Sequence, residues 1–367
     1  MARKKTKRIF VSATRKNDGK TVVSLGLCYA FRTRFNEIGF IKPVGQRYIL
    51  DQGEKVDEDS VLIERTFGSE CEIKNMSPVA IERGFTKNYI IHGNKKRLSK
   101  LIKQSFKTVA VDKDLVIIEG TGHAGVGSVF DLSNATVAKM LKSKVIIVSS
   151  GGIGRPIDEI ILNKALYESE GVPIAGVIIN KVMPEKYEYI NKLVRKGLER
   201  KGLRVLGVIP YNRLLSEPSV QQLIDELDLS AICGKKKLDT RIGNIIVGAM
   251  SPHNALNYLS NKSLVITPGD REDLITAVLG YHVDHSKEGI EIAAIVLSGG
   301  IKPHKTVVAI AKRADVPMLL ADDDTYTVAS EIHDLTVKIR PEDLEKTRLV
   351  EDMITKYVDI DLITQYL

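Results

Sequence analysis

Tryptophan is absent from the 367 residues, and aromatics together make up only 5%. The basic clusters KKTKR, NKKRLSK, RKGLERKGLR and GKKK therefore lack the interleaved rings on which nucleic-acid bases stack. They read as solvated faces, and no nucleic-acid partner is expected. Cysteine is scarce too. Cys28, Cys71 and Cys233 are odd in number, far apart and without CxxC spacing, which supports neither a disulfide framework nor a zinc site and suits a reducing cytoplasm. No apolar run approaches the roughly 18 residues that would span a bilayer, so no membrane partner is expected. The opening MARKKTKRIFVSATRKNDGK turns polar too soon for a signal peptide. There is no internal repeat, and with 43% hydrophobic and 27% charged residues the chain is neither disordered nor collagen-like.

The length accommodates two domains at about 100–200 residues each. The net charge of +8 conceals an asymmetry: residues 242–367 hold 12 Lys/Arg against 19 Asp/Glu, leaving residues 1–241 with 42 against 27. A basic first part suits a phosphate-bearing ligand, an anionic partner or the acidic second part.

Residues 8–13 (RIFVSA), 38–44 (IGFIKPV), 114–120 (DLVIIEG), 144–150 (KVIIVSS), 176–182 (GVIINKV) and 203–210 (LRVLGVIP) are near-continuous apolar runs, as parallel strands covered on both faces are. Stretches such as TVVSLGLCYAFRTRF, NATVAKMLK and IDEIILNKALYESEG read as crossover helices. The pattern predicts an α/β domain with a doubly wound, mostly parallel sheet over residues 1–230. AICGKKKLDTRIG (231–243) breaks it where the charge changes sign, and is expected to be a linker. A second, smaller α/β domain follows at 244–367, with strands at NIIVGAM, SLVITPGD, IEIAAIVLSGG and DVPMLLADDD.

The chemistry concentrates in RIFVSATRKNDGKTVVSLGLCYAF: an apolar strand, a polar turn, then Gly19-Lys20-Thr21 opening a helix. That is the context of a phosphate-binding loop. Its amides and helix N-terminus surround phosphate oxygens, its lysine reaches the β/γ-phosphates, and its Thr ligates Mg²⁺. The spacing GxxxxGK[ST] asks for glycine at position 14, where this chain has Thr14. The alternative is an ordinary strand-to-helix turn with a surface lysine. DLVIIEGTG then brings Glu119 to a strand's carboxyl end, where a Mg²⁺ ion needs a carboxylate.

With IKPVGQ (41–46), DEDSVLI (57–63), IINKV (178–182) and LGVIPYN (206–212) in order, the first 230 residues resemble the dethiobiotin synthetase-like P-loop ATPases. They are more similar still to the corresponding amino-terminal part of long phosphotransacetylases. TPGDRED (267–273) and LSGG (297–300) resemble the DRTGG domain of those proteins, with Asp270-Arg271 and Ser298-Gly299-Gly300 standing for its motif.

The resemblance implies ATP and Mg²⁺ as cofactors, with Thr14, Arg15, Asp18, Gly19, Lys20 and Thr21 in the phosphate loop. Lys20 would contact the β/γ-phosphates, and Lys42 would lie near the transferred phosphoryl group. Thr21, Glu119 and Asp59 would hold the metal, with Asp57 competing for the role of Asp59. Asn180 would recognise the base, and Pro210 with Tyr211 would read its edge through the backbone. Lys20, Lys42 and Glu119 become the catalytic candidates. Ala13, Arg15 and Lys16 depart from the synthetase loop, and Arg15 falls where ParA-like relatives place a partner-contacting lysine.

The resemblance thus implies an ATPase or an ATP-dependent carboxylate-activating enzyme with a small-molecule-sensing DRTGG domain, or a non-catalytic nucleotide-binding module acting on a partner in acetate metabolism. It also implies a homodimer or higher homo-oligomer. Acetyl transfer and glutamine amidotransfer are not expected, for want of the residues that carry them. Weaker signals are His282 and His285 at HxxH spacing, the run Asp322-Asp323-Asp324, and His123 beside Glu119. They read as surface histidines, a helix cap and a loop residue against a metal site, a cation site and a general base.

Overall fold

The computed structural model describes residues 6–51, 53–69, 71–285 and 290–367. The chain divides into two units, one running to Asn212 and rejoined by Ile339–Leu367, the other Arg213–Lys338.

In the first unit the strands are β1 (Lys7–Ala13), β2 (Ile38–Ile41), β3 (Val44–Gly45), β4 (Tyr48–Asp51), β5 (Glu54–Asp57), β6 (Val79–Ala80), β7 (Leu115–Glu119), β8 (Lys144–Ser150), β9 (Ile174–Val182) and β10 (Val205–Pro210). The expected apolar runs form one sheet in the order β10-β9-β8-β1-β7-β2, parallel throughout. Ile9, Phe10 and Val11 are successive and wholly buried, as are Ile117 and Ile118. Side chains alternate between sheet faces, so both faces are covered, and that is why these runs are continuous instead of alternating.

Strand order reverses around β1, with β7 and β2 on one side and β8, β9 and β10 on the other. The crevice of such a sheet opens at the carboxyl ends beside that reversal. Helix α1 (Lys20–Phe31) leaves from the end of β1. The antiparallel β4–β5 hairpin leads into α2 (Glu58–Phe67), whose N-cap Asp57 accepts the Asp59 amide at 3.0 Å.

The helix Leu344–Tyr357 returns to this unit and crosses α1 at Gly26, where a Cβ would stand 2.1 Å from Ile354 Cγ1. An antiparallel bridge between Gly207 and Val358, with Asp359 N–H donating to Leu206 C=O at 2.8 Å, covers the outer edge of β10.

The second unit has β11 (Ser230–Cys233), β12 (Asn244–Val247), β13 (Ser263–Pro268), β14 (Ile292–Ser298) and β15 (Met318–Leu320), in the order β11-β15-β14-β13-β12. β12 to β15 are parallel and β11 is antiparallel to β15. Helices Glu272–His285 and Lys305–Ala314 put Leu274, Val278 and Ala311 on one face. Helices Val220–Glu226 and Thr325–His333 put Leu223 and Ile332 on the other.

The expected domain limits need correction at both ends. The stretch 231–243 is not a linker: Ser230–Cys233 is a strand of the second sheet, and Lys235–Lys237 is a short turn after it. Residues 339–367 belong to the first unit, because Val350, Met353 and Ile354 are buried in a helix packed on α1. A lysine run marks solvent contact and an amphipathic helix marks an apolar face; neither says which core lies beneath.

Candidate functional site

The loop between β1 and α1 is fastened at several points. Thr14 N–H donates to Val148 C=O at 2.8 Å, and its Oγ1 bonds Asp18 Oδ2 at 2.7 Å and Ser149 Oγ at 2.9 Å. Asp18 Oδ2 also accepts the Arg15 amide at 2.8 Å, which closes the turn. The hydroxyl of Thr14 thus works as a brace where the common spacing has glycine.

Two side chains at the end of β9 hold the other half. Asn180 Nδ2 donates to Asp18 C=O at 2.9 Å, and Lys181 Nζ donates to Asn17 C=O at 2.6 Å. In a planar trans peptide the C=O and the following N–H point in opposite directions. Drawing the carbonyls of Asn17 and Asp18 to β9 therefore turns the amides of Asp18 and Gly19 the other way. Asn17 has φ 70° and Gly19 φ 88°, the left-handed values that let successive amides converge on an anion. A Cβ on Gly19 would also meet Asn180 Nδ2 at 2.1 Å, so glycine is required twice over.

The first backbone bond of α1 runs from Val23 N–H to Gly19 C=O at 3.0 Å. The amides of Lys20, Thr21 and Val22 precede it and have no carbonyl of the helix to donate to.

Below the loop lies a buried charge cluster. Glu119, wholly buried at the end of β7, receives on one oxygen, Oε1, the ammonium of Lys20 at 3.1 Å, the hydroxyl of Thr21 at 3.1 Å and, at 3.6 Å, the ammonium of Lys42. Lys42 also pairs with Asp57 at 2.9 Å and with Asp59. Burial alone would favour a neutral Lys42 amine, but Asp59, Glu119 and Asp57 outweigh it and push its pKa up, so the ammonium persists. Burial pushes the Asp57 carboxyl up, against the pull of Lys42.

The other Glu119 oxygen, Oε2, is buried with no hydrogen-bond partner. Among the described residues no set of three His, Cys, Asp or Glu side chains is arranged to hold a metal unaided. Mg²⁺ does not require one, since it keeps waters and takes one or two carboxylates plus substrate phosphates. Thr21, Glu119 and Asp59, with an unmatched carboxylate oxygen among them, fit that donor set.

The sequence-derived residues Thr14, Asp18, Gly19, Lys20, Thr21, Lys42, Asp59, Glu119 and Asn180 are thus joined in one network. Arg15 is held in an ion pair with Glu159, which Arg155 shares. That pairing pushes Arg15 up and holds Glu159 below its ordinary carboxylate range. Pro210 ends the edge strand β10, and the Tyr211 amide is engaged by Val182 C=O at 2.7 Å. His123 Nδ1 accepts the Gly125 amide at 3.2 Å. Two members went unassigned in the sequence reading: Lys181, adjacent to Asn180, and Asp57 as an ion-pair partner of Lys42.

In the second unit the two motif turns leave neighbouring strands, Pro268 standing opposite Ser298. Arg271 does not pair with Asp270, which is exposed. It binds Asp273 at 2.9 Å and the carbonyls of Met250 at 3.1 Å and Gly248 at 3.4 Å. Ser298 Oγ bonds Thr325 Oγ1 at 2.7 Å, and the Gly299 and Gly300 amides donate to Asp323 and Ala321 carbonyls at 2.7 and 2.8 Å. Asp324 caps the helix Thr325–His333, as expected for the acidic run. Both His282 nitrogens bond backbone groups, of Ala314 at 3.2 Å and Ile292 at 3.1 Å, which leaves neither for a metal; the His285 side chain lies outside the described residues.

A family model described as an AAA domain matches residues 7–219, and one described as a DRTGG domain matches residues 222–335. Proteins named phosphate acetyltransferase are similar along the chain. That of Pseudomonas putida is 26% identical over 369 residues, 95% of this chain and 50% of the relative, and that of Nitratidesulfovibrio vulgaris is 26% identical over 362 residues, 96% and 50%. The chain spans about half the length of these curated relatives. A solved plasmid partition protein from Borrelia burgdorferi B31, bound to AMPPNP, is 18% identical at a TM-score of 0.40, covering 58% of this chain and 90% of its own. Among the described residues no helix is long and apolar enough to cross a membrane.

Proposed function

Because the chain belongs to the AAA-domain family whose model matches residues 7–219, with a DRTGG domain after it, we propose that its first unit binds ATP with Mg²⁺ and that the DRTGG unit regulates it. The observation that carries this reading is the loop itself, with its amides turned inward by Asn180 and Lys181 and its Lys20 and Thr21 gathered on a buried carboxylate. Backbone N–H groups at a helix start are the chemistry that recognises phosphate oxygens.

Lys20 leaves Glu119 to meet the β/γ-phosphates, exchanging one anion for another. Thr21, Glu119 and Asp59 are the residues that would hold Mg²⁺, whose charge would offset that of the transferring phosphoryl group. Lys42, held charged by Asp57 and Asp59, stands over the same carboxylate and would face the γ-phosphate. Arg15 would contribute only by leaving Glu159. Asn180 is spent on the loop in this conformation, so base recognition would rest on its remaining reach and on the backbone near Tyr211.

A second reading is a nucleotide-binding regulatory module without turnover. It is favoured by the similarity along the chain to one half of relatives named phosphate acetyltransferase, which makes acetyl-phosphate formation the activity to modulate. Phosphate release from ATP, measured beside binding, separates the two. Binding with turnover lost in Lys42→Ala supports an enzyme, binding without turnover supports the module, and no binding contradicts both.

A further inference from the structure

Among the described residues no strand pairs with the outer edge of β12. Asn244 and Gly248 donate their amides to Lys262 and Ile266 carbonyls of the β13 side, at 3.4 and 2.8 Å, and the register runs from Asn244 opposite Ser263 to Val247 opposite Ile266. Alternation along a strand then turns the amides of Ile245 and Val247 away from the sheet. The Val247 carbonyl accepts the Ala249 amide at 2.8 Å and keeps its second lone pair for another donor.

Ile245 and Val247 share one face and are 42% and 41% exposed, with Met250 at 37% and Tyr258 at 60% close by in sequence. Between Arg241 and Lys262 there is no Asp, Glu, Lys or Arg, in a chain that is 27% charged. Proteins protect open edges with lysine, proline or a covering segment. The opposite edge of this sheet, β11, is followed after Gly234 by Lys235, Lys236 and Lys237, and β10 of the first unit is covered by Val358 and Asp359. Among the described residues β12 has none of these.

We infer that β12 is an interface between two copies of this chain, pairing antiparallel about a two-fold axis through Ile246. The segment is its own complement in that register. Ile245 of each copy stands opposite Val247 of the other, and the outward amides and carbonyls of the two residues exchange hydrogen bonds. The four side chains form one apolar cluster on the exposed face, and no charge of either copy is brought near the axis. Such an interface is closed by symmetry and joins the two second-unit sheets into one.

Sedimentation velocity on the intact chain tests this at micromolar concentration. Wild type is expected at twice the chain mass. Ile245→Lys and Val247→Glu are each expected at the chain mass, while their equimolar mixture returns to twice the chain mass, because each lysine then faces a glutamate across the axis. Both positions are exposed, so each variant should fold, and its far-UV circular dichroism should match wild type even where loss of the partner copy lowers its melting temperature. Where a spectrum shifts, Ile245→Thr with Val247→Thr keeps strand preference and should still weaken the dimer at least tenfold. A monomeric wild type, variants that stay dimeric, or a mixture that stays monomeric overturns the inference; the first of these would leave β12 to an extended strand of another protein.

Discussion

Lys181 is the residue whose role is least visible from its type. Its backbone is in the left-handed region at φ 56°, uncommon for a residue with a side chain, and its ammonium is spent on the Asn17 carbonyl. Burial lowers its pKa, against the pull of Asp18. The geometry makes it a positioning residue, which with Asn180 turns loop amides toward the proposed phosphate site. Lys181→Met keeps the stem and the same backbone demand and removes only the hydrogen bond. It should weaken ATP affinity about tenfold, the equivalent of roughly 1.4 kcal/mol, and weaken ADP and GTP in the same proportion; titration calorimetry on the three nucleotides reads this. A loss confined to one base would instead mean contact with the base. The sequence made Asn180 legible through resemblance, yet a lysine closing a strand looks like any solvated lysine until β9 is placed beside the loop.

At the scale of elements, the helix Arg155–Ser169 is tied to the phosphate loop by Glu159, which holds Arg15 and Arg155 together. The Glu159 carboxyl is held below its ordinary range, first by the Arg15 hydrogen bond. The folded state therefore binds its proton less readily than the unfolded chain does. Its contribution to stability is full above the ordinary glutamate pKa of about 4.3 and is lost as pH falls through the lower folded value. Denaturation of Glu159→Gln and wild type should differ at pH 6–7, roughly, and converge toward strong acid. A difference that grows on acidification would contradict the pairing.

Most strands and the helices over them were legible because a covered parallel sheet imposes continuous apolar runs. β11 was not: Ser-Ala-Ile-Cys is too short and too mixed to show periodicity, and the lysines after it resemble a linker. The charge cluster was legible residue by residue. That Lys20, Thr21 and Lys42 would share one oxygen of Glu119 was not, because the hairpin that delivers Asp57 and Asp59 to the carboxyl edge has no pattern of its own.

At the scale of the whole chain, the last residues complete the first unit across an intervening one. Deleting residues 339–367 uncovers α1 at Gly26 and the edge of β10. The first unit should then become protease-sensitive while Arg213–Lys338 survives, as read by limited proteolysis with mass spectrometry. Ile354→Ala should destabilise the first unit by about 2–5 kcal/mol through the cavity it leaves. Survival of both units in the deletion would mean that the returning helix is dispensable. Nucleotide binding, however, depends on the phosphate loop alone. Titration calorimetry of ATP with Mg²⁺ into wild type and Lys20→Ala addresses it directly. Saturable one-site binding by wild type is expected, weakened at least tenfold in the variant; no heat of binding by wild type, or equal affinity in the two, would contradict ATP binding at this loop.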